Sequence, residues 1–241
     1  MIDFWKRFSR NRSAVFGLVI LVTVLFVATI ASLIYPEDPF RLAGKPLSGP
    51  GLNGFLLGSD SLGRDVASGI AHGAKTSLLI GLIATLAAVF IGIIFGAFSG
   101  YYGGRIDDLL MRITEIFQTI PSFVFAILLV AIMKPSIESI VIAITVVSWP
   151  GVARLVRAEF LSLKNREFVQ ACHTLGMSDL RIMLREILPN CLSPIIVIGS
   201  LMVATAILIE SGLSFLGIGV PDDIVTWGSL LNLGRQNLEA W

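Results

Sequence analysis

Two histidines and two cysteines are the scarcest chemistry-bearing side chains in this 241-residue chain, and their spacing builds no site. His72 and His173 stand about 100 residues apart, and Cys172 and Cys191 have no CxxC-type spacing, so neither pair makes a metal or catalytic cluster. Gly69 to Thr76 (GIAHGAKT) approaches a phosphate-binding loop, whose Gly-x4-Gly-Lys-Ser/Thr pattern lets backbone amides cradle phosphate while the Lys reaches it. Here Ala74 separates Gly73 from Lys75, so the chain carries no ATPase of its own. No paired carboxylates face each other within an apolar run. Glu210 lies at the end of the last long apolar run, and an ionisable residue at membrane depth is a functional candidate. It is equally suited to hydration or to a hydrogen bond with the adjacent Ser211-Gly212 turn. Arg64 and Asp65 fit either a contact with another protein or a solvated surface pair. The sequence therefore reads as no enzyme, with no cofactor or metal bound by the chain itself.

The elements around these residues belong to a membrane. Hydrophobic residues make up 55% of the chain and charged ones only 15%, against roughly a quarter in a soluble domain. A net charge of +1 gives no case for nucleic acid. Stretches free of Asp, Glu, Lys and Arg run for 24 residues after Arg12, 29 after Lys75, 18 after Glu115, 15 after Glu138 and 23 after Glu186. About 20 apolar residues at about 1.5 Å each cross a bilayer core of about 30 Å. The expected fold is all-α, a polytopic membrane protein with spans near 15–34, 77–100, 109–133, 137–153 and 191–212. The first run exceeds the roughly 7–15-residue core of a signal peptide and no small-x-small cleavage site follows it. Twelve Lys and Arg fall in segments 1–14, 101–108 (with Arg112) and 154–190, against six elsewhere, which places the N-terminus inside. An extracytoplasmic loop then covers 35–76, irregular because of its Gly and Pro content, and a cytoplasmic loop covers 154–190. Both cysteines fall on the cytoplasmic side, where no disulfide is expected.

That cytoplasmic loop carries the strongest pattern. Phe168, Ala171, Cys172 and Leu175 share one helical face; Gly176 interrupts; Ser178 can cap a second helix, with Asp179 at its positive end. Leu180, Met183, Leu184, Ile187 and Leu188 then form a second stripe, and Pro189 ends the unit. Such a stripe either packs on neighbouring membrane helices or docks a cytoplasmic partner. In the second span Ala84, Ala88, Gly92, Gly96 and Gly100 recur every four residues, the spacing at which small side chains let helices approach closely. Their partner is either this chain or a second subunit.

Gln170-Ala171-Cys172, then Gly176, then Leu188-Pro189, resembles the Glu-Ala-Ala–x3–Gly–x9–Ile-x-Leu-Pro signature of binding-protein-dependent transport permeases. Gln170 stands for the signature Glu, Cys172 for its second Ala, and Glu186 for its Ile. Further blocks are similar to the dipeptide, oligopeptide and nickel branch of that family of ATP-binding-cassette (ABC) permeases. They are Tyr35-Pro36-Glu37-Asp38-Pro39, Leu57 to Val66 (LGSDSLGRDV), Gly100-Tyr101-Tyr102-Gly103-Gly104 with Asp107, Trp149 to Arg154 (WPGVAR), Leu213 to Gly219 (LSFLGIG), and Trp227-Gly228. The resemblance implies an inner-membrane permease subunit of a bacterial importer for peptides, nickel or related solutes. In this reading the coupling loop (Gln170, Ala171, Cys172, Gly176, Leu180, Met183, Leu184, Ile187, Leu188, Pro189) seats in an ATPase subunit. The implied partners are a second permease subunit, two ATPase subunits holding ATP and Mg, and an extracytoplasmic binding protein, which Arg64, Asp65 and Glu210 would face. Members of the branch resemble six-span proteins, and the expectation is that this chain lacks the last span. The alternative class is a secondary transporter or channel, which leads one to expect intramembrane charges and inverted repeats with broken helices, neither of which is read here.

Overall fold

The computed structural model describes residues 8–239. Among them the regular structure is helical, apart from one isolated bridge between Ser59 and Asp65. Helix α1 is Arg12–Ile34, α2 Val66–Tyr102, α3 Gly104–Gln118, α4 Ser122–Ile132, α5 Ile137–Leu163, α6 Glu167–Thr174, α7 Asp179–Phe215 and α8 Trp227–Glu239. Helices α1, α2, α5 and α7 are long and apolar enough to cross a membrane, and α3 with α4 can supply a fifth span although bent by 79° at their junction.

That bend differs from the single span expected over 109–133. Pro121 has no N–H to donate and pushes the residue before it out of helical geometry, so α3 ends at Gln118 and α4 restarts at Ser122. Helix α5 runs ten residues past the expected limit at 153, to Leu163. A charge limits how much of a helix lies in lipid but not how far the helix itself extends; Ser136 and Ser139 cap its start reciprocally. Helix α2 begins at Val66 rather than near 77, because Asp65 Oδ1 accepts from the backbone N–H of Ala67 at 2.8 Å and satisfies an orphan donor. The expected hairpin limit at Pro189 is also corrected: α7 passes through Pro189 and Pro194 without a break. Residues Ile182–Ile187 widen to π-helical spacing, with Leu188 N–H donating to Met183 O. A widened turn moves the carbonyl that a proline ring would otherwise strike.

Two compact units divide the chain, one of residues up to 78 with those from 221 onward, the other of residues 79–220. In the first, α1 is capped by Asn11, whose side chain accepts from Ala14 N–H at 3.2 Å, and its apolar residues are largely exposed, as a lipid-facing helix requires. In place of a featureless polar end, the sequence from Trp227 forms α8, which sits on the start of α2. Trp227 Nε1 donates to Ile70 O and Trp227 N–H to Ser77 Oγ, both at 3.1 Å.

The second unit holds three buried clusters, the smallest of Ala88, Trp149 and Ala153 and two larger ones. Ile80 and Ala84 of α2, Ala126 and Val130 of α4, Ile140 and Ile144 of α5, and Ala206 and Leu213 of α7 make one. The other gathers Val152, Val156 and Phe160 of α5, Val169 of α6, and Ile182, Met183, Ile187, Cys191 and Ile195 of α7. The hairpin is thus built on the end of α5.

Candidate functional site

Helix α6, a turn and the first turns of α7 form the hairpin. Its turn is fixed by backbone chemistry. Gly176 has φ +74°, Gly176 N–H donates to His173 O at 2.9 Å and Met177 N–H to Cys172 O at 3.1 Å. This is a Schellman cap, in which a left-handed residue closes the last turn and a non-glycine residue would be strained. Ser178 occupies the N-cap position of α7 but its hydroxyl makes no cap bond, contrary to the role read for it. The second hairpin arm is continuous with the membrane helix, one helix running from Asp179 to Phe215.

The two stripes do not stay whole. Phe168 is 40% exposed, Leu175 80%, Leu180 56% and Leu184 54%, and Ala171, Gln170, Gly176 and Pro189 are exposed with them. Met183 (1%) and Ile187 (0%) are buried in the core with Val156 and Phe160, and Cys172 and Leu188 pack against it. Met183 and Ile187 therefore brace the hairpin from behind, which corrects their place in the docking set. The cause is the π-helical stretch. At wider spacing residues four and five apart align, so Leu180 and Leu184 share one side while Ile182, Met183 and Ile187 share another. Sequence spacing of 3.6 merged these sides. An apolar outer face of this kind, on a helix pair held rigid from within, is suited to burial against another protein.

The small-residue row of α2 runs along α5. A methyl group added at Gly92 would lie 2.5 Å from Val152 Cβ, at Gly96 2.7 Å from Val156 Cβ, and at Gly100 2.6 Å from Phe160 Cβ. Ala84 and Ala88 are fully buried, and Thr145 Oγ1 donates to Ala84 O at 3.3 Å. The partner of this row is α5 of the same chain.

Charge pairing at the same corner escaped the sequence reading. Arg157 donates from Nε to Asp107 Oδ1 and from Nη2 to Oδ2, both at 2.6 Å, and Ser99 Oγ also donates to Oδ1. Asp107 and Arg157 are 50 residues apart, a separation at which no local periodicity signals the pair.

The remaining candidates are placed as follows. Glu210 is fully buried, with Ser214 Oγ donating to Oε1 at 2.8 Å, so it is no outer-face contact. Arg64 lies over the Phe40 ring at 5.1 Å, and Asp65 caps α2. They close a folded loop in which Asp60 Oδ1 accepts from the N–H of Leu62 and Arg64, both at 2.8 Å, and Gly63, at φ +80°, packs too close to Gly44 O for a side chain. The LSFLGIG block is a second Schellman cap: Gly217 N–H donates to Ser214 O and Ile218 N–H to Leu213 O, each at 3.0 Å, ending α7. His72 Nδ1 lies 3.0 Å from Ser68 O and His173 Nε2 3.4 Å from Tyr101 Oη, and the described residues contain no group of three His, Cys, Asp or Glu side chains fit to hold a metal.

Comparison with known proteins agrees with this geometry. Residues 88–235 match the family described as binding-protein-dependent transport system inner membrane component, and residues 1–48 match the N-terminal membrane domain of oligopeptide transport permease C. The chain is 39% identical over 236 residues to the dipeptide transport system permease protein DppC of Bacillus subtilis, covering 98% of this chain and 74% of that protein. It is 41% identical over 240 residues to the oligopeptide transport system permease protein OppC of Haemophilus influenzae, covering 99% and 77%. Among solved structures it resembles the inward-facing MetNI methionine ABC transporter, with a TM-score of 0.56 at 16% identity over 63% of this chain and 76% of that one, a likeness of fold.

Proposed function

Because this chain belongs to the family of binding-protein-dependent transport system inner membrane components, we propose that its hairpin is the seat of an ATP-hydrolysing partner and that the solutes it passes are peptides or similar small molecules. The chain is a multi-pass permease subunit of an ABC importer, and ATP hydrolysis belongs to a separate subunit. The observation that supports the docking reading is the outer face of the hairpin. Phe168, Leu175, Leu180 and Leu184 are exposed while the residues behind them are fully buried, so the face is both apolar and rigid. Because α7 is continuous from Asp179 to Phe215, a push on that face tilts a membrane helix.

In this reading the N-terminus and the hairpin lie in the cytoplasm, a second permease subunit completes the pathway, two ATPase subunits bind below, and a binding protein delivers solute to the 35–65 loop. Peptides are favoured because the relatives named above are dipeptide and oligopeptide permeases. Co-purification with candidate ATPase subunits of binding-protein-dependent importers tests the docking. Wild type is expected to recover the ATPase in full, and Leu184→Glu and Gly176→Pro to lose most of it. Equal recovery by all three would remove the docking role from the hairpin. Uptake of radiolabelled dialanine by cells expressing the system tests the substrate class, and its absence beside uptake of another solute would overturn the peptide assignment.

A further inference from the structure

Tyr101 sits in the last turn of α2, and its side chain reaches both arms of the hairpin. Its hydroxyl donates to Asp179 Oδ1 at 2.8 Å, in the first turn of α7. The same oxygen lies 3.4 Å from His173 Nε2, in the last turn of α6, and the Tyr101 ring stacks on His173 at 6.3 Å between centroids and 26° between planes. Its backbone is anchored too. Lys164 Nζ, just past the end of α5, donates to Tyr101 O at 3.3 Å, and the neighbouring Gly100 is pressed against Phe160. One side chain therefore touches residues 72 and 78 positions away, on either side of the Gly176 turn. A phenol suits this place. It spans the gap with a rigid ring of two torsions and ends in a donor matched to a carboxylate, a pairing stronger than one between neutral groups.

We propose that Tyr101 is a positioning residue that latches the hairpin to the cytoplasmic end of α2, so that displacement of the hairpin moves α2 as well as α7. Helix α7 is driven through its own continuous backbone. Helix α2 has no covalent link to the hairpin nearer than the chain through α3, α4 and α5, and the Tyr101–Asp179 hydrogen bond makes a direct non-covalent one. The inference rests on the docking reading above, because an ATPase must first move the hairpin.

The test reads the two helices separately in the assembled complex. Cys172 and Cys191 are replaced by Ser, and one new cysteine is placed either on exposed α2 (Ile94→Cys) or on exposed α7 (Leu201→Cys). Maleimide labelling rates are then compared with and without trapping by ATP and vanadate. In the parent both reporters change rate on trapping. In Tyr101→Phe the α7 reporter keeps its change, while the change at α2 falls roughly 10-fold or more, the weight of one hydrogen bond to a charged group. Asp179→Ala behaves like Tyr101→Phe, and Asp179→Asn, whose neutral amide oxygen accepts the phenol proton in a weaker bond, keeps an α2 response between those of Asp179→Ala and the parent. A full α2 response in Tyr101→Phe would overturn the latch, as would an Asp179→Asn variant as impaired as Asp179→Ala, or parallel loss at both reporters. A parent whose α7 reporter ignores trapping would instead sink the docking reading, and this proposal with it.

Discussion

Arg157 holds both oxygens of Asp107 across two helices, with each hydrogen bond 2.6 Å long. The pair joins the first turns of α3 to the last turns of α5, directly beneath the close approach of α2 to α5, and Ser99 of α2 donates to the same carboxylate. Three helices thus meet on one carboxylate. Removing either charge leaves the other half-buried and unpaired. Arg157→Ala and Asp107→Asn are each predicted to destabilise the chain by about 1–3 kcal/mol, and together by less than the sum, because they remove the same interaction. Thermal unfolding in detergent, run as a double-mutant cycle, measures this; strict additivity would show the pair contributes nothing.

The seam between α2 and α5 makes a sharper prediction. Gly96→Ala would place a methyl 2.5 Å from Ala153 O and 2.7 Å from Val156 Cβ. Backbone cannot give way as a side-chain tip can, so a loss of about 1–3 kcal/mol is expected. Gly199→Ala, on α7, meets only Val89 Cγ2 at an ordinary 3.7 Å and should be neutral or stabilising in the same assay.

Burial separates the two halves of the hairpin stripe. Met183→Ala removes a side chain that is 1% exposed and is predicted to cost about 2–5 kcal/mol. Leu184→Ala, at 54% exposure, should leave the unfolding midpoint nearly unchanged while weakening ATPase recovery. If the two variants unfolded alike, the division of the stripe would be wrong.

Trp227 ties α8 to α2 through two hydrogen bonds, its backbone N–H donating to Ser77 Oγ and its indole N–H to Ile70 O. Trp227→Phe keeps the ring volume class but loses that donor, so about 1 kcal/mol of local stability should go. Limited proteolysis would then cut near 221–226 faster than in wild type, and an unchanged rate would contradict the anchoring.

Apolar run length made the existence of most spans legible, since the cost of burying charge leaves few arrangements for a chain this hydrophobic. What escaped was set by backbone detail. Pro121 breaks a span that composition alone reads as one, while Pro189, the same residue type, breaks nothing because the turn before it is widened. The Gly92, Gly96 and Gly100 row announced a close contact, but four-residue spacing contains no information about which helix fills it. Asp107 and Tyr101 stood in a motif quoted whole; their partners Arg157 and Asp179 lie 50 and 78 residues further on, where only the packed fold brings them near. For Glu210 the run's end leaves an outer-face contact and a hydrogen bond to the following turn both open, and the fold decides for the second: its carboxylate is enclosed and accepts from Ser211 Oγ and Ser214 Oγ.

The most direct measurement places a photo-crosslinking amino acid at Leu180, Met183 or Leu184 in turn and analyses the intact complex after irradiation. Adducts with the ATPase subunit are predicted from positions 180 and 184, and none from the buried position 183. Crosslinks from 180 and 184 to lipid alone, with no ATPase adduct, would contradict the claim that this face receives the motor.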